Sequence, residues 1–231
     1  MGAATAAKLR TAIPPLCDGE RLGRAEFLRR WDAMPDLRRA ERVEGTVRLM
    51  ASPVSVQGHA RPHFRINGLL AVYEAATPGV FGYADGTTHL DGDNDFQPDV
   101  ALAILPEFGG QTAWNGEYLE GAPELVVEVA KSSARRDRTT KRQVYRRNGV
   151  REYLIWQPAK PSFQAFRNEA GEFQPHEPSQ GIWKSSAFPG FWLNVAALLS
   201  SDAPAAMATL QAGLASADHA TFVTTLAAPR K

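Results

Sequence analysis

Residues 123–156 read PELVVEVAKSSARRDRTTKRQVYRRNGVREYLIW. Leu125 to Ala130 is apolar except at Glu128. An apolar run that short, bounded by Pro123, fits a strand buried on both faces. The segment from Ala134 to Asn148 reads as a basic helix, closed by Gly149 as its C-cap. Arg151 to Trp156 is the next strand, ended by Pro158. Strand, helix and strand in that order make a βαβ unit, or a strand–helix–strand of that kind.

Working outward, Val100 to Leu105 (VALAIL) is a second apolar strand, between Pro98 and Pro106. Pro106 to Ala122 is Gly-rich and reads as a loop. Asp85 to Asp99 holds five aspartates and no Lys or Arg, and ahead of Gln97 it reads as a solvated loop. Arg61 to Ala76 is a helix stopped by Thr77-Pro78-Gly79. Residues 80–84 form a short strand. Arg42 to Ser52 is a strand pair or one bent strand around Gly45, and Arg21 to Trp31 is an amphipathic helix. Downstream, Phe163 to Arg167 and Glu172 to His176 flank a turn as a hairpin. Residues 194–200 and 204–228 read as helices rich in Ala and Leu. The expected organisation is a flexible tail at 1–20, a domain at 21–200 and a C-terminal helical extension at 201–231.

The chain has 231 residues, 44% of them hydrophobic, enough for one large domain with its own core. Lys and Arg total 26 against 25 Asp and Glu, which excludes a histone-like basic protein and an acidic mimic. A local patch can still meet nucleic acid. Cys17 is the single cysteine, so no intrachain disulfide or zinc-ribbon ligand set exists. No run of 18 apolar residues suits a membrane span. Met1 to Ala7 lacks the pattern of a signal peptide, so a cytoplasmic location is expected.

Two carboxylates stand in poor places for carboxylates. Asp99 opens an apolar strand, and Glu128 sits inside one. Along that strand Leu125, Val127 and Val129 face one way, while Glu124, Val126, Glu128 and Ala130 face the other. A buried carboxylate must be paired, protonated or bound to a metal. One reading pairs Glu128 with an arginine. The other comes from residues 131–151, which hold nine basic residues and one acidic residue, Asp137. On a helix Arg138, Lys141, Arg142 and Tyr145 share a face. Carboxylates for a divalent cation beside cations for phosphates are what hydrolysis of a phosphodiester needs. At about 4 Å and an effective dielectric of ~20, two carboxylates repel by ~4 kcal/mol. Bound Mg²⁺, which takes oxygen ligands, removes that repulsion.

Pro98-Asp99 followed by Glu128 resembles the PD-(D/E)XK signature of restriction-endonuclease-like nucleases. Residues 123–156 are similar, more closely, to the Uma-type putative restriction endonuclease family. The family's acidic strand, its Asp…Lys…Tyr helix and its Gly-Val-x-Glu-Tyr strand start match Glu128, then Asp137, Lys141 and Tyr145, then Gly149 to Tyr153. The likeness extends to Ala40-Glu41-Arg42-Val43-Glu44-Gly45, to His59 and to Phe188-Pro189-Gly190-Phe191-Trp192-Leu193, and so covers about residues 20–200. It implies a restriction-endonuclease-like α/β fold with a mixed central sheet flanked by helices, here with extra C-terminal helices. It also implies Asp99 and Glu128 as ligands of Mg²⁺, with Mn²⁺ as a substitute, and Glu41 as a third acidic group. The chain departs from the plain signature at Ala130, which stands where the lysine two residues after the acid would be. Lys141, at the family's lysine position, is the expected substitute and Lys131 the second choice.

The expected function is therefore a Mg²⁺-dependent endonuclease acting on DNA, with RNA as the open alternative. Lys141 would stabilise charge, and the helix at 134–148 would help seat the phosphate backbone. Cutting both strands of a duplex is easiest with two active sites, which a homodimer would supply. His59 is an accessory candidate near the site, and Gln97 is a candidate for orienting a ligand or water. His59 and His63 have the i, i+4 spacing of two zinc ligands, but Pro62 lies between them and no Glu follows His59. Trp114, Trp156, Trp183 and Trp192 read as core or interface aromatics. Ala130 motivates a second reading, a nuclease fold kept as a DNA-binding or interaction module without activity. A third is a non-nuclease protein with a buried Glu128–Arg pair.

Overall fold

The βαβ unit forms as expected in the computed structural model, which describes residues 12–50, 53–130 and 135–228, the side chains of 135–138 excepted. In chain order the elements are α1 (Arg24–Asp32), β1 (Ala40–Val43), β2 (Thr46–Leu49), α2 (Arg61–Ala75), β3 (Val80–Tyr83), β4 (Thr88–Asp91) and β5 (Asn94–Phe96). Then come β6 (Val100–Ile104), β7 (Ala113–Asn115), β8 (Tyr118–Glu120), β9 (Leu125–Val129), α3 (Arg135–Arg147) and β10 (Glu152–Gln157). The chain continues with β11 (Ser162–Glu169), β12 (Glu172–Pro175), β13 (Ile182–Lys184), β14 (Trp192–Asn194), α4 (Val195–Ser200), α5 (Ala203–Leu214) and α6 (Ala217–Ala227).

The central sheet has the order β12-β11-β10-β9-β6-β3. Its β9–β10 pair is parallel, the crossover running through α3, and β6 joins β9 antiparallel. The sheet is therefore mixed. Alternation along β9 sorts its residues between two layers. Leu125, Val127 and Val129 pack with Ile66, Leu70 and Tyr73 of α2, with Phe188 and Phe191, and with Leu210 of α5 and Leu226 of α6. The C-terminal helices thus share the core of the sheet. Val126 packs on the opposite face with Val144 and Tyr145 of α3 and with Leu90 and Phe96. Gly149 ends α3 with φ 84°, a left-handed turn that only glycine adopts without strain. There Val150 N–H donates back to Tyr145 O at 3.0 Å.

A second six-stranded sheet, β2-β1-β5-β4-β8-β7, covers part of that face. It corrects two expectations. The stretch from Asp85 to Phe96 is not a solvated loop, because β4 and β5 lie within it and Thr88, His89, Asn94 and Asp95 are buried. Asp95 is neutralised from a distance: its oxygens accept from Arg24 Nε at 2.7 Å, Arg42 Nε at 2.6 Å and His89 Nδ1 at 2.7 Å. Nor is Pro106 to Ala122 wholly loop, since it contributes β7 and β8. Residues 1–11 lie outside the described residues, but Leu16, in the stretch expected as tail, is buried with Phe27, Ala40 and Val47. Trp156 and Trp183 are core residues, whereas Trp114 is 59% exposed. Among the described residues no helix is long and apolar enough to cross a membrane.

Candidate active site

Four elements bring the site together. Glu41 comes from β1, Asp99 directly precedes β6, Glu128 lies on β9 and Lys141 on α3. Asp99 stands one residue beyond the Val100–Val127 partners of the β6–β9 ladder, and this places it beside Glu128. Its Oδ2 accepts from Val129 N at 2.8 Å. Glu128 shares the Val126 face and so points under α3, where Lys141 and Tyr145 reach it. Lys141 Nζ donates to Glu41 Oε1 at 2.8 Å and to Glu128 Oε1 at 3.2 Å. Tyr145 OH donates to Glu128 Oε1 at 3.0 Å. Among the described residues, the hydrogen-bond partners of Glu128 are thus a lysine and a tyrosine rather than an arginine.

The remaining expected residues border this cluster. Gln97 N–H donates to Glu41 Oε1 at 2.9 Å. Gln97 Oε1 is buried with no hydrogen-bond partner among the described residues. His59 lies on a turn of π-helix ahead of α2, with Nδ1 2.9 Å from Val129 O and Nε2 3.7 Å from Asp99 Oδ1. The carbonyl partner makes Nδ1 the protonated nitrogen. His63 Nε2 lies 2.6 Å from Asp99 O, its ring stacked on His59. Lys131 lies outside the described residues. One participant escaped sequence reasoning altogether: Arg39 donates to Asp99 Oδ1 at 3.2 Å and also pairs with Asp85 at 3.2 Å. Nothing local to Arg38-Arg39 announces a partner 60 residues away.

Three carboxylates, Glu41, Asp99 and Glu128, face two cations, Lys141 and Arg39. Carboxylates outnumber cations here, the more so because Arg39 is shared with Asp85. Burial pushes the Glu128 carboxyl up to about 7; Lys141 pulls it back, while Asp99 and Glu41 add to the rise. Burial works to lower Lys141, but Glu128 and Glu41 more than offset it and hold the ammonium charged. Lys141 Nζ lies nearer Glu41, at 2.8 Å, than Glu128, at 3.2 Å. Burial and the Glu128 charge push the Tyr145 hydroxyl well above its ordinary range, so it serves as a neutral donor.

The donor set fits a hard divalent cation. Its ligand atoms are carboxylate oxygens and its surplus charge is negative. Mg²⁺ is commonly held by one or two carboxylates with water and substrate phosphate completing the shell. Among the described residues no three His, Cys, Asp or Glu side chains converge to enclose a metal alone. Glu124, the other carboxylate on this face of β9, is occupied by the N–H groups of Ile104 and Gln111.

Glu41, Glu128 and Lys141 line a cleft of about 780 Å³, with Val43, Thr46, Arg48, Met50, Ala130 and Thr140 among its walls. The cationic face of α3 is smaller than its charge count implies. Arg146 pairs with Glu172, Arg147 with Glu44 and Asp91, and Arg142 lies over the Phe166 ring. The side chain of Arg138 lies outside the described residues.

In fold, the chain is similar to a crystal structure described as "a putative nuclease belonging to DUF820" from Anabaena variabilis. The TM-score is 0.56 at 14% identity, and the match covers 75% of this chain and 97% of that one. No curated protein matches the chain. The sequence profile of the Uma2 family, described as "Putative restriction endonuclease", matches residues 24–196, so the chain belongs to that family.

Proposed function

We propose that the protein is a Mg²⁺-dependent endonuclease that hydrolyses DNA phosphodiester bonds at this cleft. The observation that carries the reading is the Lys141 ammonium held between Glu41 and Glu128 beside Asp99. When bound, the metal polarises a phosphate oxygen and makes water a better nucleophile. Asp99 and Glu128 would hold it, and Mn²⁺ would substitute. Glu41 orients Lys141, whose charge is aimed at the negative charge that builds on the phosphate in the transition state. Tyr145 fixes the Glu128 carboxylate. His59, anchored on Val129 O, turns Nε2 toward Asp99 and supports its orientation.

Ala130 motivated the reading of an inactive binding module. Lys141 weakens that motivation, because the helix delivers an ammonium to Glu128 from eleven residues beyond Ala130. The test is hydrolysis of end-labelled duplex DNA in Mg²⁺ and in EDTA, with wild type and Asp99→Asn. Metal-dependent cleavage that disappears in the variant supports the assignment. Salt-sensitive DNA binding without cleavage in Mg²⁺ or Mn²⁺ would favour the binding module.

A further inference from the structure

The β1–β2 ribbon turns at Glu44 and Gly45, both with positive φ, 51° and 73°. This tight turn sets the register, with Val43 opposite Thr46 and Glu41 opposite Arg48. Cross-strand partners send their side chains to the same face, with Cβ atoms ~5 Å apart. One face of the ribbon turns Ala40, Arg42 and Val47 into the protein. The other turns Glu41, Val43, Thr46 and Arg48 into the cleft. Because β2 is the edge strand, Arg48 stands at the mouth, one strand outward from Glu41.

Among the described residues, the cations in and around this cleft are nearly all committed. Lys141 is bound to Glu41 and Glu128, Arg147 to Glu44 and Asp91, and Arg39 to Asp99 and Asp85. Lys141 and Arg48 are the cations among the described lining residues, beside the carboxylates of Asp18, Glu41, Glu44 and Glu128. Arg48 is exposed, and its side chain has no hydrogen bond or ion pair among the described residues. A polyanionic strand meets a predominantly acidic mouth. Lys141 can face the phosphate being cut, but a flanking phosphate needs an uncommitted cation. A guanidinium fork matches phosphate geometry with two parallel hydrogen bonds.

We propose that Arg48 is the positioning residue that seats a backbone phosphate of the nucleic-acid strand next to the one cut, an inference that rests on the nuclease reading. The contact carries no sequence information, so Arg48 acts alike on every sequence.

The test uses the full chain and fluorescein-labelled DNA, duplex and single-stranded. Binding is followed by anisotropy in Ca²⁺ across a salt series, and cleavage kinetics are followed in Mg²⁺. Arg48→Ala, Arg48→Lys and Arg65→Ala are compared, Arg65 lining a separate groove between α2 and the C-terminal helices. For Arg48→Ala the log–log salt slope should flatten by about 0.7–0.9, the loss of one phosphate contact. KM should rise about tenfold, as for one charged hydrogen-bonding group, with kcat within about twofold of wild type. Arg48→Lys should restore the slope but only part of the affinity, because the fork is lost. Arg65→Ala should change neither. An unchanged slope in Arg48→Ala, with a wild type that cleaves, overturns this inference and leaves the nuclease reading standing. An equal loss in Arg65→Ala also overturns it, since the effect would then be one of overall charge. A wild type that neither binds DNA in a salt-dependent way nor cleaves it overturns the nuclease reading, and this inference falls with it.

Discussion

Lys141 Nζ lies 2.8 Å from Glu41 Oε1, two residues 100 positions apart in the chain. The contact ties α3, the crossover helix of the central sheet, to the first strand of the second sheet. The same ammonium reaches Glu128 at 3.2 Å. A single cation thus joins the layers and pairs with two buried carboxylates.

Replacing Lys141 with Met should therefore weaken both fold and catalysis. Breaking a buried ion pair while leaving its partner buried costs about 3–5 kcal/mol. Loss of a charge that stabilises the transition state lowers kcat by about 100-fold or more. Urea unfolding in EDTA and in Mg²⁺ checks the first effect, and Mg²⁺ should recover more stability in the variant than in wild type. Unchanged stability in EDTA would contradict the arrangement.

Asp99 calls for a graded pair of variants. Its Oδ2 accepts from the buried N–H of Val129. Asp99→Ala orphans that donor at a cost of about 1–3 kcal/mol, whereas Asp99→Asn can keep an acceptor there. Both should lose cleavage, but only Asp99→Ala should melt clearly below wild type. Equal melting temperatures for the two would show that the Val129 bond adds nothing to the fold.

Tyr145→Phe removes one hydrogen bond from Glu128 and keeps the buried ring. It should cost ~1 kcal/mol of stability and leave the carboxylate less firmly held. A fall in kcat larger than the rise in KM, measured on one substrate, is the expected pattern. A change in KM alone would place Tyr145 in substrate binding instead.

Asp95 gives a pH dependence. Burial works to raise its carboxyl, but hydrogen bonds from His89 and Arg42 prevail and hold it below its ordinary value of 3.8. A depressed native value means stability that is complete above the unfolded value and lost as pH falls through the native one. Asp95→Asn should be destabilised at pH 7 by about 3–5 kcal/mol, since buried Arg42 loses its hydrogen-bonded counter-charge and keeps only the longer pair with exposed Asp93. It should also lose stability less steeply than wild type on acidification below pH 4. Parallel acid limbs in urea titrations would contradict this.

The β9–α3–β10 unit was legible because its signals are local: two short apolar runs, a basic helix and Gly149. Glu128 and Lys141 were legible for the same reason, 13 residues apart across one turn of chain direction. The region 85–96 was misread because Asp95 is neutralised by Arg42 and Arg24, 53 and 71 residues away. A run of aspartates looks solvated unless those partners are known. Likewise the positive count of α3 was visible, but its pairing with Glu44, Asp91 and Glu172 depends on tertiary placement. Arg39 was missed on the same physical ground.

The most direct measurement is nicking of supercoiled plasmid DNA by wild type and by Glu128→Gln, prepared identically, in Mg²⁺, Mn²⁺ and EDTA. The account predicts conversion to the open circular form by wild type in either metal, none in EDTA, and none by Glu128→Gln in any condition. Equal nicking by the two proteins, or wild-type nicking that persists in EDTA, would contradict it.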